Sequence, residues 1–254
     1  MFYQELNPVA FSLFGFSVHY YSLAYVFGFL AALFLLLRKK EGLGLKKDEV
    51  YDLIAWLIIG VIVGARAFEI LVWNPGYYFA NPLEVISFWK GIAGMSYHGG
   101  LLGGVIAAYV FCRKKKIDFL KLADVVAIPA ALFLAVGRLG NFINNELVGR
   151  VTDVGWCFVF PGYEGCRHPQ QLYAAGYRFL IFFGLLLIGR KERKPGMMFF
   201  SYLLMEGAGR FVVDFFREDV LYLGLSLGQW LSVGVIITAG YFLLRPRLKP
   251  GCKI

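Results

Sequence analysis

The sequence predicts an all-α polytopic membrane protein with about seven transmembrane helices, interfacial segments and a small outer-face loop region. Three observations carry that expectation. Of the 254 residues, 59% are hydrophobic and 18% aromatic, whereas soluble domains sit near 45–50% apolar. The apolar residues fall in runs of about 20, the length that crosses a bilayer core, rather than at a helical or strand period. The basic residues gather in alternate loops between those runs. In a bilayer the backbone must satisfy its own polar groups, which favours helices. Ten-residue stretches of alternating polarity are absent, which argues against a barrel.

Taken in order, the expected spans are residues 18–37, 50–72, 97–112, 122–140, 170–188, 197–214 and 227–244. Span one ends on Arg38, Lys39 and Lys40, with Lys46 and Lys47 following. Span two runs into the aromatic loop 73–96, where Trp73, Tyr77, Tyr78, Phe88 and Trp89 suit the headgroup zone. Span three is short and glycine-rich, and Arg113, Lys114, Lys115, Lys116 and Lys121 follow it. Span four ends in a polar stretch, and span five begins in one. Arg190, Lys191, Arg193 and Lys194 separate spans five and six, and Arg245, Arg247, Lys249 and Lys253 follow span seven. Eighteen of the 26 basic residues therefore lie in alternate loops. That is the positive-inside distribution, and it puts the N-terminus outside and the C-terminus in the cytoplasm. It accounts for the +9 net charge without a nucleic-acid partner.

Residues 1–17 lack a basic n-region and carry Glu5, so they are expected to form an amphipathic lead-in at the outer interface rather than a cleaved signal peptide. Cys112 and Cys252 fall on the cytoplasmic side. Cys157 and Cys166 share one outer loop, where an oxidising compartment allows a disulfide and two free thiols are the alternative. No Cys/His spacing suits a metal, and no cofactor is expected. With no repeat and no low-complexity linker, residues 1–254 are expected to form a single integral-membrane domain.

Eight basic residues escape the inner loops: Arg66, Lys90, Arg138, Arg150, Arg167, Arg178, Arg210 and Arg217. Seven of the eight are arginine, whose planar fork grips phosphate or carboxylate bidentately. Arg66, Arg138 and Arg210 stand near the outer ends of spans two, four and six, each beside glycine. An intramembrane arginine costs about 3 kcal/mol or more to insert. Three at one depth imply a polar cavity for an anion or a set of structural ion pairs. The acids at that depth are too few for the second, which favours the cavity. His19, His98 and His168 also begin spans on the outer side. The topology thus gathers His, Arg, Asn141, Asn144 and Glu146 at one outward-facing pocket. The glycines at 99, 100, 103 and 104 give small-xxx-small spacings suited to close helix packing.

The stretch GRLGNFINNELVGR at 137–150 resembles the signature of bacterial prolipoprotein diacylglyceryl transferases. MSYHGGLLGG at 95–104, RHPQQLY at 167–173 and GRFVVDFFRED at 209–219 resemble further motifs of that family, in the family's order across nearly the whole chain. The resemblance implies transfer of a diacylglyceryl group from phosphatidylglycerol to the lipobox cysteine of a preprolipoprotein signal peptide, in the bacterial inner membrane. It implies a thioether product, released glycerol 1-phosphate, and no metal or cofactor. Together with the chemistry and placement of these residues, it points to His98, Arg138 and Arg210 for catalysis, and to Tyr21, Arg66, Asn141, Asn144, Glu146, His168 and Gln171 for substrate binding. The chemistry fits: a phosphodiester calls for fixed positive charge, and a thiol of pKa about 8.5 calls for a base. An alternative for Arg138 is an ion pair with Glu146.

The chain departs from the family pattern near the pocket. Ala174 stands where a glutamate is usual, Arg178 replaces an acid, Glu206 replaces a tyrosine, and Arg217-Glu218-Asp219 lacks the usual proline. These positions leave a divergent paralogue with another acceptor, or a non-catalytic phospholipid-binding or transport protein, as alternatives. The equal depth of Arg178 and Glu206 on adjacent antiparallel spans makes them an expected salt bridge. The rival is that Glu206 orients Arg210 one helical turn on.

Overall fold

In a computed structural model the backbone is described for residues 1–13, 16–86, 95–191 and 193–245, and the side chains for these except Leu13, Phe16, Tyr21, Tyr25, Ile86 and Tyr97. Phe88, Trp89, Lys90, Arg247, Lys249, Cys252 and Lys253, discussed above, lie outside the described residues. Three strands, β1 (Phe2–Tyr3), β2 (Val9–Leu13) and β3 (Phe16–His19), lead into α1 (Tyr20–Leu43). Then come α2 (Lys47–Phe68), a π-turn Glu69–Trp73, the short α3 (Pro75–Ala80), a 3-10 turn Pro82–Ile86 and α4 (Tyr97–Lys115). After α5 (Phe119–Ile143) an irregular loop carries β4 (Phe158–Val159) and β5 (Cys166–Arg167). The helices α6 (Gln170–Ile188) and α7 (Met197–Val213), a 3-10 turn Asp214–Phe216, the hairpin β6 (Leu221–Tyr222) and β7 (Leu225–Ser226), and α8 (Leu227–Leu244) complete the chain.

Seven of these helices coincide with the seven expected spans. Among the described residues, five are long and apolar enough to cross a membrane: Ser22–Leu43, Lys47–Trp73, Phe119–Ile143, Gln170–Ile188 and Leu227–Leu244. The other two fall short for visible reasons. α7 has 17 residues and carries Glu206 and Arg210, while α4 is glycine-rich and ends on Arg113, Lys114 and Lys115. Large apolar side chains such as Leu30, Phe34, Ile59, Leu101, Leu180, Phe183, Ile237 and Phe242 point outward. That is the surface of a multi-pass membrane protein, where the solvent for these faces is lipid.

The chain forms two compact units, one of residues 1–35 and 123–254 and one of residues 36–122. In the second unit α2 and α4 pack along a glycine seam. A Cβ on Gly103 would stand 2.1 Å from the Gly60 carbonyl oxygen, and one on Gly99 would stand 2.3 Å from that of Gly64. Only glycine permits so close an approach, and in lipid close backbone packing is a main source of helix association. α2 opens with Glu49 accepting from the Lys46 backbone N–H at 2.9 Å, and the same carboxylate takes Lys115 Nζ at 2.8 Å. α4 is capped by Ser96, which accepts from Gly99 N–H at 3.4 Å.

The first unit has its core where α5, α6 and α7 meet. Ala127 and Ala131 on α5 face Ile181 and Leu185 on α6 and Tyr202 on α7, all buried. The small α5 residues let the larger partners interlock, and each pair repeats at i, i+4. Asp124 fixes the start of α7, accepting from Gly196 N–H at 2.7 Å and Phe199 N–H at 2.8 Å. A carboxylate there satisfies otherwise orphaned donors at the positive end of the helix. Ser226 and Gln229 form a capping box at the start of α8, at 3.0 and 2.9 Å.

The expected lead-in is built of short strands. β2 and β3 form an antiparallel hairpin, and β1 joins β4 and β5 in a three-stranded sheet. Just beyond β1, buried Gln4 donates to the Phe142 and Ile143 carbonyls at 2.9 and 3.1 Å. It thereby satisfies C-terminal acceptors that α5 cannot pair internally. Cys157 and Cys166 are joined in a disulfide across nine residues. Of the two alternatives left by the sequence, the bridge is the one observed.

A candidate anion-binding site of arginines

The first unit holds a small recess lined by Arg138, Gln170, Ala174, Tyr177, Arg178, Arg210, Val213, Asp214 and Arg217. Four guanidinium groups therefore converge from α5, α6, the end of α7 and the turn after it. Gly209 makes room for one wall. A Cβ there would stand 2.4 Å from the Tyr177 ring, so this phenol lies against the α7 backbone.

Each arginine differs in how fully it is engaged. Arg178 is buried, donates from Nη1 to the Ala174 carbonyl at 3.1 Å, and pairs through Nη2 with Glu206. Tyr177 donates its hydroxyl to the same Glu206 oxygen at 2.9 Å. Arg210 approaches Asp214 at 3.8 Å and Arg217 approaches it at 3.9 Å. Asp214 is itself buried and also accepts from the Ser226 hydroxyl at 3.3 Å. Arg217 holds Asp219 with a fork, at 2.7 and 3.2 Å. Arg138 stands apart: its Nη1 is buried and has no hydrogen-bond partner among the described residues. Buried donors are nearly always satisfied in native structures, so an orphaned guanidinium nitrogen in a recess marks a place for an acceptor ligand.

The charges agree. Of the four arginines of the recess, Arg178 pairs with Glu206, Arg210 and Arg217 approach Asp214, and Arg217 also holds Asp219, three carboxylates in all. One formal positive charge is left over, the complement of a phosphodiester. With its arginines this site can hold a monoanion and stabilise further negative charge on it.

Beside the recess the polar stretch after α5 folds on itself. Asn141 and Asn144 both donate to the Glu146 carboxylate, at 2.9 and 3.3 Å. Arg138 and Glu146 make no ion pair among the described residues, so the alternative of a structural pair between them is not realised. Gln171 donates to the Glu146 carbonyl at 2.8 Å, and Gln170 donates to that of Leu147. These two buried amides tie the start of α6 to the loop, where Asn145 and Leu147 take positive φ. His168 is buried, bonds Tyr173 Oη through Nδ1 at 3.2 Å, and meets the Phe216 ring edge at 5.0 Å. Burial, and then the nearby Arg150 charge, hold its pKa below the ordinary histidine value. It therefore stays neutral at physiological pH and stiffens the wall through Tyr173 and Phe216.

Of the residues expected at the site, Arg138 and Arg210 line one recess. Asn141, Asn144, Glu146, His168 and Gln171 form the hydrogen-bonded loop of the same unit. Arg66 and His98 belong to the other unit. There Arg66 is buried and donates to the Val85 carbonyl at 3.0 Å and to that of Glu84. His98 is exposed in the first turn of α4, its ring 6.5 Å from those of Phe68 and Trp73. Tyr21 lies in α1, and its side chain is outside the described residues. The sequence reading passed over Tyr177, Asp214 and Arg217 as site residues. The spacing of Asp214, four after Arg210 and three before Arg217, was the available signal.

The comparisons with known proteins point the same way. A family model described as prolipoprotein diacylglyceryl transferase matches residues 8–245. A Geobacter sulfurreducens protein named phosphatidylglycerol–prolipoprotein diacylglyceryl transferase is 45% identical over 248 residues, covering 96% of this chain and 94% of its own. Proteins of the same name from Bordetella parapertussis and Rickettsia rickettsii are 40% and 38% identical, covering 96% and 98% of this chain and 97% and 100% of theirs.

Proposed function

The chain belongs to the prolipoprotein diacylglyceryl transferase family, and from this we propose that it transfers a diacylglyceryl group from phosphatidylglycerol to the lipobox cysteine of a preprolipoprotein. The thiolate sulfur attacks the glyceryl carbon that bears the phosphate. A carbon–sulfur bond forms, the carbon–oxygen bond breaks, and its electron pair leaves with the phosphate oxygen of glycerol 1-phosphate. The phosphate goes from monoanion to dianion, so donors aimed at it count for more in the transition state than in the ground state. The orphaned Arg138 Nη1, in a recess with one unmatched positive charge, carries this reading. Residues 1–254 act as one transferase domain.

Arg138 and Arg210 are assigned to the phosphate, and His98 to taking the thiol proton. Asn141, Asn144 and Glu146 are assigned to the donor's glycerol hydroxyls. Among these atoms Asn144 Oδ1 is buried with no partner among the described residues, which suits a hydroxyl donor. Tyr21, Arg66, His168 and Gln171 complete the assigned substrate-binding set. The decisive assay incubates the purified protein with phosphatidylglycerol and a lipobox peptide. Mass spectrometry should show the peptide gaining one diacylglyceryl group, and no gain would end the proposal.

His98→Ala should cost more activity at about pH 6.5 than at about pH 9, because the thiol ionises unaided at high pH. A loss equal at both would assign His98 to positioning instead.

We place the protein in the bacterial inner membrane with its N-terminus outside and C-terminus inside. The alternation of basic loops supports this, and so does the Cys157–Cys166 bridge in a loop expected outside. Externally added thiol reagent should label a cysteine placed at Pro75 and spare one placed at Lys115, and the reverse pattern would overturn the orientation.

A further inference from the structure

The geometry points to Arg178 as a further phosphate-binding residue of the recess, held in place by Glu206 and Tyr177; this rests on the phosphate reading of the site. Three observations converge. Arg178 is 4% exposed, yet it lines the recess, so its guanidinium faces that space rather than lipid. Its two terminal nitrogens are occupied by the Ala174 carbonyl and by Glu206. Its Nε, however, is buried without a hydrogen-bond partner among the described residues. That makes two orphaned guanidinium nitrogens around one recess, Arg138 Nη1 from α5 and Arg178 Nε from α6. One phosphate offers several acceptor oxygens and can take both.

A purely structural ion pair would not be arranged this way. Glu206 accepts both the Tyr177 hydroxyl and Arg178 Nη2 at Oε1, while its Oε2 is buried and unpartnered among the described residues. A pair formed only for stability would face both carboxylate oxygens with the two ends of the guanidinium. Here the pairing engages one end and leaves the Nε edge unmet. Ala174 contributes by its size, since it lines the recess and leaves room for a ligand beside the guanidinium.

The test separates this role from a structural one and from the transferase reading. Full-length protein in detergent is titrated with glycerol 1-phosphate, with glycerol as the neutral control. Two variants are compared with wild type: Arg178→Lys, which keeps the charge opposite Glu206 but loses the Nε donor, and Arg178→Leu with Glu206→Leu, which removes both charges. The proposal expects wild type to bind glycerol 1-phosphate and not glycerol, with both variants about tenfold weaker or worse at unchanged melting temperature. Variant affinities equal to wild type, or no anion binding by wild type, overturn it. Should the leucine pair fail to fold, Arg178→Lys decides alone. Wild type that binds the anion through Arg178 but transfers no lipid would sink the proposed function and leave this inference standing. Transfer with anion binding indifferent to Arg178 would do the opposite.

Discussion

Arg138→Lys is expected to lower transferase activity by about 100- to 1000-fold, the cost of losing one preorganised donor to a developing oxyanion, while the protein expresses and melts as wild type. Lysine keeps the charge, so a purely electrostatic role would survive the change. It cannot reproduce a planar fork with donors at fixed spacing. The reason to expect a large effect is the orphaned Nη1: nothing among the described residues satisfies it, so its position is useful only when a ligand is present. The reason to expect a small effect on stability is that Arg138 stands outside the packed core of α5, whose contacts are made by Ala127 and Ala131. Activity per folded molecule, measured with phosphatidylglycerol and a lipobox peptide, checks this. A variant with normal expression and near-normal turnover would remove Arg138 from the phosphate.

The helices were legible because lipid imposes one simple rule. A run of about 20 apolar residues has few other uses, and the seven runs became seven helices with ends shifted by a few residues. What the sequence hid was structure made from few residues. β1, β4 and β5 contribute two residues each, and the pairing of β1 with β4 joins positions 156 apart, Phe2 with Phe158 and Tyr3 with Val159. No periodicity survives at that length, so the clamp of Gln4 on the end of α5 left no trace in the pattern. Site residues divide in the same way. Arg138 and Arg210 stood out because charge in an apolar run is costly. Tyr177 did not, because a tyrosine beside arginine in an aromatic-rich helix looks like packing. Its importance depends on the bare backbone of Gly209, on a different helix. Asp214 was hidden as one acid in a mixed-charge run, and its burial distinguishes it only in three dimensions.

The Arg178–Glu206 pair was foreseen from depth alone, and its energetics give the second large effect. The two side chains are 5% and 17% exposed and in contact, so each charge is screened by little besides the other. Glu206 thus pairs with Arg178, which sets aside the rival in which it orients Arg210. Removing one partner strands a buried charge, a loss of about 3–5 kcal/mol where it has been measured in other proteins. Arg178→Leu and Glu206→Leu should each destabilise the protein by that order. Removing both charges and filling the space with apolar side chains should restore most of the loss, since a buried ion pair contributes little net stability over well-packed hydrophobes. The coupling energy in a double-mutant cycle is therefore expected to be the larger part of the two summed single losses, with the double variant more stable than additivity allows. Tyr177→Phe, which takes away one hydrogen bond to the same carboxylate oxygen, should cost only about 0.5–1.5 kcal/mol. Arg167 and Glu218 give the contrast. They are 2.7 Å apart, but Glu218 is 66% exposed. An exposed pair of that kind contributes about 0–1 kcal/mol, and the same cycle there should show a coupling below about 1 kcal/mol. Denaturant or thermal unfolding of the purified variants in one detergent measures both cycles under the same conditions. Additive losses at Arg178 and Glu206, or equal coupling at the two pairs, would show that burial in this recess does not isolate the charges.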